Sequence, residues 1–456
     1  MSSPVSNAVP TILLILCPER SSFNASFVLA RRLKAMGYRI LYSGPERWQD
    51  YIEAQGFDYR IIQLESFGEP EPDSGLLTQW QYRRRQLRHY RQAANRLLAK
   101  SEAELAREKP VLLLIDPLIG VHSLLVVKSG IPAIALNTTL ASTYDVGIPP
   151  AFCDLLAEKS PRLLSRLRFR VAWWRCLWRS KSSRWLLDVL QPLALALPPR
   201  RSLVAQVKRL GGSIRWGEYG PCLAVPEFVL SPRELDFPTS AAASPRTYVG
   251  ACVDLQRQDE SFEWDGIDPD KPLLYCSLGT YNHAYPHATR LFRAVVEALC
   301  QREDWQAIVQ VGDALPLDFF GSLPPRIRLV GQVPQLRILA SADVFVTHGG
   351  FSSVRESLLY GVPMLVFPCW LDQPGNAARV VHHGLGLQGD IAKVDSHVVL
   401  DLLQRIETPH FKKSALWMQA IFQAQIDCQA GVEFIQHHLG KDLVADPKRV
   451  TFVKAK

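Results

Sequence analysis

This 456-residue chain is defined first by what is missing from it. It has no run of 18 apolar residues, so no helix is expected to cross a bilayer. The longest candidate, Val111 to Val127, is interrupted by Asp116, Pro117 and His122. There is no C-x-x-C pair and no Cys/His group with zinc spacing. The nine cysteines (Cys17, Cys153, Cys176, Cys222, Cys252, Cys276, Cys300, Cys369, Cys428) therefore read as buried thiols of a reducing compartment. No basic stretch precedes the short apolar run Ile12–Cys17, so a secretory signal is not expected and a cytoplasmic location is. No G-x-G-x-x-G follows that run, which weighs against a nicotinamide oxidoreductase. Solenoid repeats and low-complexity tracts are also absent.

What is present is the composition of a packed globular protein, with 47% hydrophobic and 21% charged residues. Fifty-two Lys plus Arg against 44 Asp plus Glu leave a net charge of +8, which permits an anionic partner without requiring one. Short apolar runs alternate with helical spacing. Ile12–Cys17 reads as a buried strand, and Asn24–Met36 as a helix stopped by Gly37. Tyr38–Tyr42, Val111–Ile115 and Ala133–Leu136 read as further strands. Continuous apolar strands between helices imply a parallel sheet covered on both faces.

The Pro/Ser/Ala-rich stretch Ser231–Arg246 reads as a linker, after which the rhythm restarts with Leu273–Ser277, Ala307–Val311, Ile327–Val330, Val344–Thr347 and Met364–Phe367. The expectation is two doubly wound α/β domains facing across a cleft. The boundaries are 1–235, a linker over 236–250, a second domain over 251–430 and a C-terminal helix with a basic tail over 431–456. Glu433–Leu439 is expected to begin a return to the first domain. In such sheets ligands bind beyond the carboxyl ends of the strands. Glu65–Thr78 reads as an exposed acidic loop.

The segment Ala342–Gly386 carries the chemistry. Strand Asp343–Thr347 runs into a turn at His348, Gly349 and Gly350, and Ser352 and Ser353 open a helix that ends near Gly361. Backbone N–H groups left open by glycine, together with a helix N-terminus, make a phosphate site. His348 and the serine hydroxyls add donors. Glu356, one turn into the helix, suits a ribose diol, and Asp372 with Gln373 offers the mixture of acceptors and donors that sugar hydroxyls need.

These residues resemble the donor-binding signature of the family 1 glycosyltransferases, the UDP-glycosyltransferase-like enzymes of GT-B fold. Thr347, His348, Gly349, Gly350, Ser353, Glu356, Gly361, Val362, Pro363, Met364, Pro368, Asp372, Gln373, Asn376, Ala377, Arg379 and Val380 all match its pattern in register. Ser277-Leu278-Gly279-Thr280 resembles the family's phosphate loop, and Gly331–Leu339 resembles its base-binding segment.

The resemblance implies two Rossmann-like domains and transfer of a sugar, with inversion, from a nucleotide sugar to a hydroxyl of a small lipophilic acceptor. The donor would be a co-substrate, with UDP-sugar the favoured form. By the same resemblance His348, Gly349, Gly350, Ser352 and Ser353 hold the diphosphate, and Gly279 and Thr280 face it. Glu356 takes the ribose, Gln335 the base, and Asp372 and Gln373 the sugar. No cofactor is implied, and no metal, because no D-x-D-type carboxylate pair stands at the phosphates. Two donor positions depart from the pattern: Ser352 replaces its Asn, and Gln332 replaces the Trp that stacks on the base.

The acceptor side departs further. Inverting transfer needs a base for the acceptor proton, usually a His oriented by an Asp. Ser22 stands at the family's His position, within a stretch (Ser21–Ala25) expected to form a turn, while Asp116 matches the orienting Asp. Three alternatives stay open: Asp116 takes the proton itself or through a water, another residue such as Glu19 or His122 serves, or the chain binds a nucleotide sugar or lipid without transferring it.

Residues Arg162–Leu187 hold seven Arg, one Lys and no acid. At 100° per residue, Leu163, Leu164, Leu167, Val171, Trp174, Trp178 and Trp185 share an arc of about 100°. Arg168, Arg175 and Arg179 flank one side and Arg162, Arg166 and Arg170 the other, while Phe169, Trp173 and Leu177 break the pattern. Arg83, Arg84, Arg85, Arg88 and Arg91 form a second basic cluster. Either the Trp stripe packs inside the first domain, or it forms a membrane or acceptor face on an anionic membrane surface, peripheral to its inner side. Nucleic acid is not expected, since no recognised module surrounds the patch.

Overall fold

The computed structural model describes residues 9–61, 98–117, 122–153, 167–182, 203–238, 246–279, 285 and 287–444, less the single positions 142, 146, 180, 219, 260, 265, 313 and 314. The first half builds a seven-stranded, all-parallel sheet in the order β3-β2-β1-β4-β5-β8-β9. Its elements are β1 (Thr11–Ile15), α1 (Arg20–Ala35), β2 (Arg39–Gly44), α2 (Gln49–Ala54), β3 (Asp58–Ile61), α3 (98–108), β4 (Leu112–Ile115), α4 (His122–Ser129) and β5 (Ala133–Asn137). After them come α5 (167–179), α6 (Leu203–Arg209), the antiparallel hairpin β6 (Ile214–Gly217) and β7 (Gly220–Leu223), β8 (Glu227–Val229) and β9 (Arg246–Tyr248). Every residue of β1 and β4 is buried, as a strand covered on both faces requires.

The second half builds a six-stranded parallel sheet in the order β12-β11-β10-β13-β14-β15, the 3-2-1-4-5-6 order of a doubly wound fold. Its strands are β10 (Leu273–Ser277), β11 (Gln306–Gln310), β12 (Ile327–Val330), β13 (Val344–Thr347), β14 (Met364–Val366) and β15 (Gly386–Gln388). Its helices are α7 (Ala288–Cys300), α8 (Gln335–Leu339), α9 (Phe351–Leu359), α10 (Gln373–His382), α11 (Ser396–Ile406) and α12 (Pro409–Ala424). Both sheets turn at their first strand, so the carboxyl ends of β1, β4 and β5 and of β10 and β13 deliver the loops that form the cleft.

The final helix, α13 (Ala430–Val444), packs on α1 and β9, and Val432, Ile435 and Leu439 join the core of the first domain. Arg32 of α1 ties down the chain on its way across, donating to the Cys428 carbonyl at 2.6 Å and to the Ile426 carbonyl.

Several expectations differ from what is seen. Arg246–Tyr248, inside the stretch read as linker, forms β9 in the first sheet; a three-residue strand with Arg and Thr gives no apolar run to read. The helix expected from Asn24 begins at Arg20, so Ser21 and Ser22 lie in the first turn of α1 rather than in a loop. The cysteines are all free, but only Cys222, Cys252 and Cys276 are fully buried and Cys300 is exposed. Glu65–Thr78, Arg83–Arg91, Thr280, Leu163, Leu164 and Trp185 lie outside the described residues.

Candidate functional site

Thr347 ends β13, and the chain turns through His348, Gly349 and Gly350 into α9. Gly349 has φ +80°, and a Cβ there would stand 2.6 Å from Val366 Cγ1, so the turn needs glycine on both counts. Gly350 is the N-cap and supplies no side-chain cap, which leaves the first N–H groups of α9 to other partners. The Asn376 amide donates to the Gly349 carbonyl at 2.8 Å and fixes the turn from α10.

His348 is buried against Gly279 and Gly350, with its ring 5.6 Å from that of Tyr285. A Cβ on Gly279 would lie 3.0 Å from His348 Cε1, which places the loop after β10 directly opposite the imidazole. Burial pulls the His348 pKa from 6.5 down to about 4, partly offset by a hydrogen bond to the Ser277 backbone. The imidazole is therefore neutral at pH 7 and offers a single N–H donor rather than a cation.

Glu356 is buried one turn into α9 and already engaged. It accepts from Arg257 Nη1 at 2.9 Å and from Gln335 Nε2 at 2.6 Å. Arg257 also pairs with Asp259 at 3.0 Å. Gln335 in turn accepts from the buried Tyr275 hydroxyl at 3.3 Å. Gln332 faces the first domain and accepts from Arg20 Nη1 at 3.1 Å.

Asp372 stands at the N-cap position of α10 and is buried; its side chain does not cap the helix, and Oδ2 accepts instead from Asn376 Nδ2 and from the Leu140 N–H, each at 3.1 Å. Desolvation raises its pKa above the ordinary carboxylate value. The Gln373 side chain turns inward: its oxygen accepts from the N–H groups of Cys369 at 2.8 Å and Trp370 at 3.1 Å, and its amide donates to the Tyr285 hydroxyl at 3.3 Å. In this state Gln373 shapes the loop that presents Asp372.

The first domain brings Ser22 of α1 together with Asp116 and Thr138, the residues just past the carboxyl ends of β4 and β5. Thr138 Oγ1 lies 3.3 Å from Asp116 Oδ2 and 3.3 Å from Ser22 Oγ, and all three residues are buried. Ser22 thus occupies a place from which a longer side chain would meet Asp116. Glu19 lies 3.8 Å from Arg47, and the side chain of His122 is outside the described residues.

The two halves close on each other at these residues. Ser352 Oγ donates to the Ser21 carbonyl at 3.4 Å, so the N-termini of α9 and α1 meet. Leu140, two residues past Thr138, reaches Asp372, and Gly375 N donates to the Ala151 carbonyl at 2.7 Å. Arg355, fully buried on α9, donates to the Leu230 carbonyl at 2.5 Å and the Cys252 carbonyl at 3.0 Å. The His348–Gly350 turn with the N-terminus of α9, Asp372 and the Asp116 group therefore line one cleft.

Sequence reasoning missed Arg20, Tyr51, Thr138, Arg257, Tyr285 and Arg355. Arg20, Tyr51 and Arg257 cluster where the two domains touch, with the Arg20 guanidinium 5.0 Å over the Tyr51 ring. None sits in a patterned motif; only the contact across the cleft marks them. Among the described residues no group of three His, Cys, Asp or Glu side chains could hold a metal ion.

Residues 296–427 match the family model described as the C-terminal domain of erythromycin biosynthesis protein CIII-like proteins. The chain is similar to the NDP-glycosyltransferase YjiC of Bacillus subtilis (strain 168), 32% identical over 168 residues, which is 36% of this chain and 41% of that protein. It is also similar to the zeaxanthin glucosyltransferase of Pantoea ananas, 31% identical over 157 residues, 34% of this chain and 35% of the relative. The alignments thus span about two fifths or less of these relatives. Over nearly its whole length the chain superposes on the calicheamicin glycosyltransferase CalG4, with a TM-score of 0.67, 20% identity, and 96% and 99% of the two chains covered. Residues 296–427 thus resemble the C-terminal domain of that family, and the chain as a whole has the two-domain GT-B fold.

Proposed function

We propose that this protein is a glycosyltransferase that moves a sugar, with inversion, from a nucleoside diphosphate sugar to a hydroxyl of a small lipophilic acceptor. One observation carries the reading: the His348–Gly350 turn and the open N-terminus of α9 meet the Asp116–Thr138–Ser22 group across one cleft, with Asp372 between them. The relatives' names support transfer as the reaction, and the zeaxanthin glucosyltransferase supports a lipophilic acceptor.

The chemistry follows from the residues. The acceptor oxygen forms a bond to the anomeric carbon as the bond from that carbon to the phosphate oxygen breaks, and the nucleoside diphosphate leaves with the electron pair. Negative charge grows on the leaving phosphate, where the α9 N-terminal N–H groups stabilise it, and the neutral His348 lines the turn that presents them. The acceptor proton passes to Asp116, directly or through a water, since Ser22 cannot act as a base near neutral pH. Asp372 accepts from sugar hydroxyls. Glu356, held by Arg257 and Gln335, addresses the ribose, and Gln332 with Arg20 borders the base, where UDP is the favoured nucleotide. Donor binding needs no cofactor or metal in this reading.

Calorimetric titration with UDP and TDP tests the donor half. Binding that weakens at least tenfold in His348→Ala and in Glu356→Ala supports it. Equal binding in the wild type and both variants, or no binding of either nucleotide, removes it.

A further inference from the structure

We propose that the outward face of α5 is a docking surface for an anionic lipid bilayer, and that acceptors enter the cleft from that bilayer. The helix has two apolar faces with different fates. Phe169 and Trp173 are buried, and Trp173 Nε1 donates to the Ile148 carbonyl at 2.7 Å, which anchors the helix to the first domain. Leu167, Val171, Trp174 and Trp178 point away from that anchor. Trp174 is 65% and Trp178 63% exposed, and their rings stack at 6.3 Å. Single exposed apolar residues are ordinary, but four on successive turns make a continuous stripe that needs an apolar partner.

The flanks say which partner. On the helical wheel Arg168, Arg175 and Arg179 border the stripe on one side and Arg170 on the other; Lys181, just past residue 179 with its ammonium 5.3 Å over the Trp216 ring, adds a fifth cation, and all five are exposed. No acidic residue lies between 167 and 182, and no described carboxylate forms an ion pair with any of the five. A second copy of the same face would bring these cations together, which opposes self-association. A bilayer with anionic headgroups satisfies both features: the indoles sit at headgroup depth and the guanidinium groups reach lipid phosphates on either side. Tyr144, about half exposed, sets its ring edge-on to Trp173 at 5.5 Å. The segment it begins runs to Ala151, which contacts Gly375 beside Asp372 and Gln373. The docking face and the cleft are therefore joined by a few residues.

Docking stands apart from the transferase reading; the entry of acceptor from the bilayer rests on it. Vesicle flotation and tryptophan emission decide the first, with the full chain and vesicles of phosphatidylcholine with or without phosphatidylglycerol. The wild type should float with the anionic vesicles only and its emission should shift to the blue. Trp174→Ser/Trp178→Ser should abolish the shift and weaken binding at least tenfold. Arg168→Ser/Arg175→Ser/Arg179→Ser should weaken it about a hundredfold, from the typical contribution of a basic residue at such a surface. All these side chains face solvent, so an unchanged melting temperature shows that the variants are folded.

No flotation, equal flotation with neutral vesicles, or variants that float like the wild type would overturn docking. So would a dimer in solution that Trp174→Ser/Trp178→Ser disperses while vesicles are ignored. For acceptor entry, transfer to an acceptor dissolved in vesicles should fall in the Trp variant while transfer to the same acceptor in detergent does not. Equal loss in both would sink acceptor entry. Vesicle binding without transfer in either setting would remove the transferase reading and leave docking intact.

Discussion

Lowering the pH should unlock the His348–Gly350 turn through His348. In the folded chain burial holds this imidazole at about 4, against 6.5 when it is exposed. Between those values the unfolded state binds more protons than the folded state, so stability rises with pH across the window and is lost as pH falls through it. With each pH unit of that window worth about 1.4 kcal/mol, the difference amounts to about 3 kcal/mol, most of which is lost by pH 4.5. His348→Gln keeps a side chain of similar reach and cannot titrate. Thermal unfolding of both proteins at pH 7 and pH 4.5 isolates the effect. The wild-type melting temperature should fall about 5–10 °C more than that of His348→Gln, taking about 2–4 °C per kcal/mol for a domain of this size. An equal fall in the two proteins would show that the imidazole is solvated and that the Gly349–Gly350 turn is not closed over it.

Other substitutions probe the rest of the site. Gly349→Ala should cost about 1–3 kcal/mol and weaken nucleotide binding, because positive φ and the contact with Val366 both resist a Cβ; a melting temperature and affinity equal to wild type would contradict this. Arg257→Met should destabilise by about 3–5 kcal/mol by leaving Glu356 buried without its cation, and adding Glu356→Met should recover part of that loss. Strict additivity in denaturant unfolding of the two singles and the double would sever the pair. Ser22→His should raise the transfer rate about tenfold or more and add an ascending pH limb near neutrality, a gain lost in Ser22→His/Asp116→Asn. No gain would mean that position 22 does not face the acceptor hydroxyl.

The stretch read as the donor side was legible as structure because it is local. Thr347 to Val380 carries the strand, the glycine turn, the helix and the Asp372 loop in one contiguous stretch, and their spacing alone brings them together. The group read as the acceptor side was only half legible. Ser22, Asp116 and Thr138 come from three elements, and Thr138 lies 116 residues from Ser22; no local pattern announces that its hydroxyl links the other two. Arg20 was invisible because its partner Gln332 is in the opposite half of the cleft, and Arg257 because Glu356 lies 99 residues away along the chain. Periodicity found the apolar stripe of α5 but could not orient it. Phe169 and Trp173 are as apolar as Trp174 and Trp178, and which pair turns inward is set by the Ile148 carbonyl and Tyr144, neither of which belongs to the helix.

Transfer itself is the most direct test. The full chain and Asp116→Ala should be incubated with UDP- and TDP-sugars and a pool of lipophilic alcohols and phenols, and the products weighed by mass spectrometry. The account predicts an acceptor heavier by one sugar residue with the wild type, and about 100-fold or more less of it with Asp116→Ala. Product formed equally by Asp116→Ala would place the proton elsewhere, and nucleotide bound without any product from the wild type would contradict the central claim.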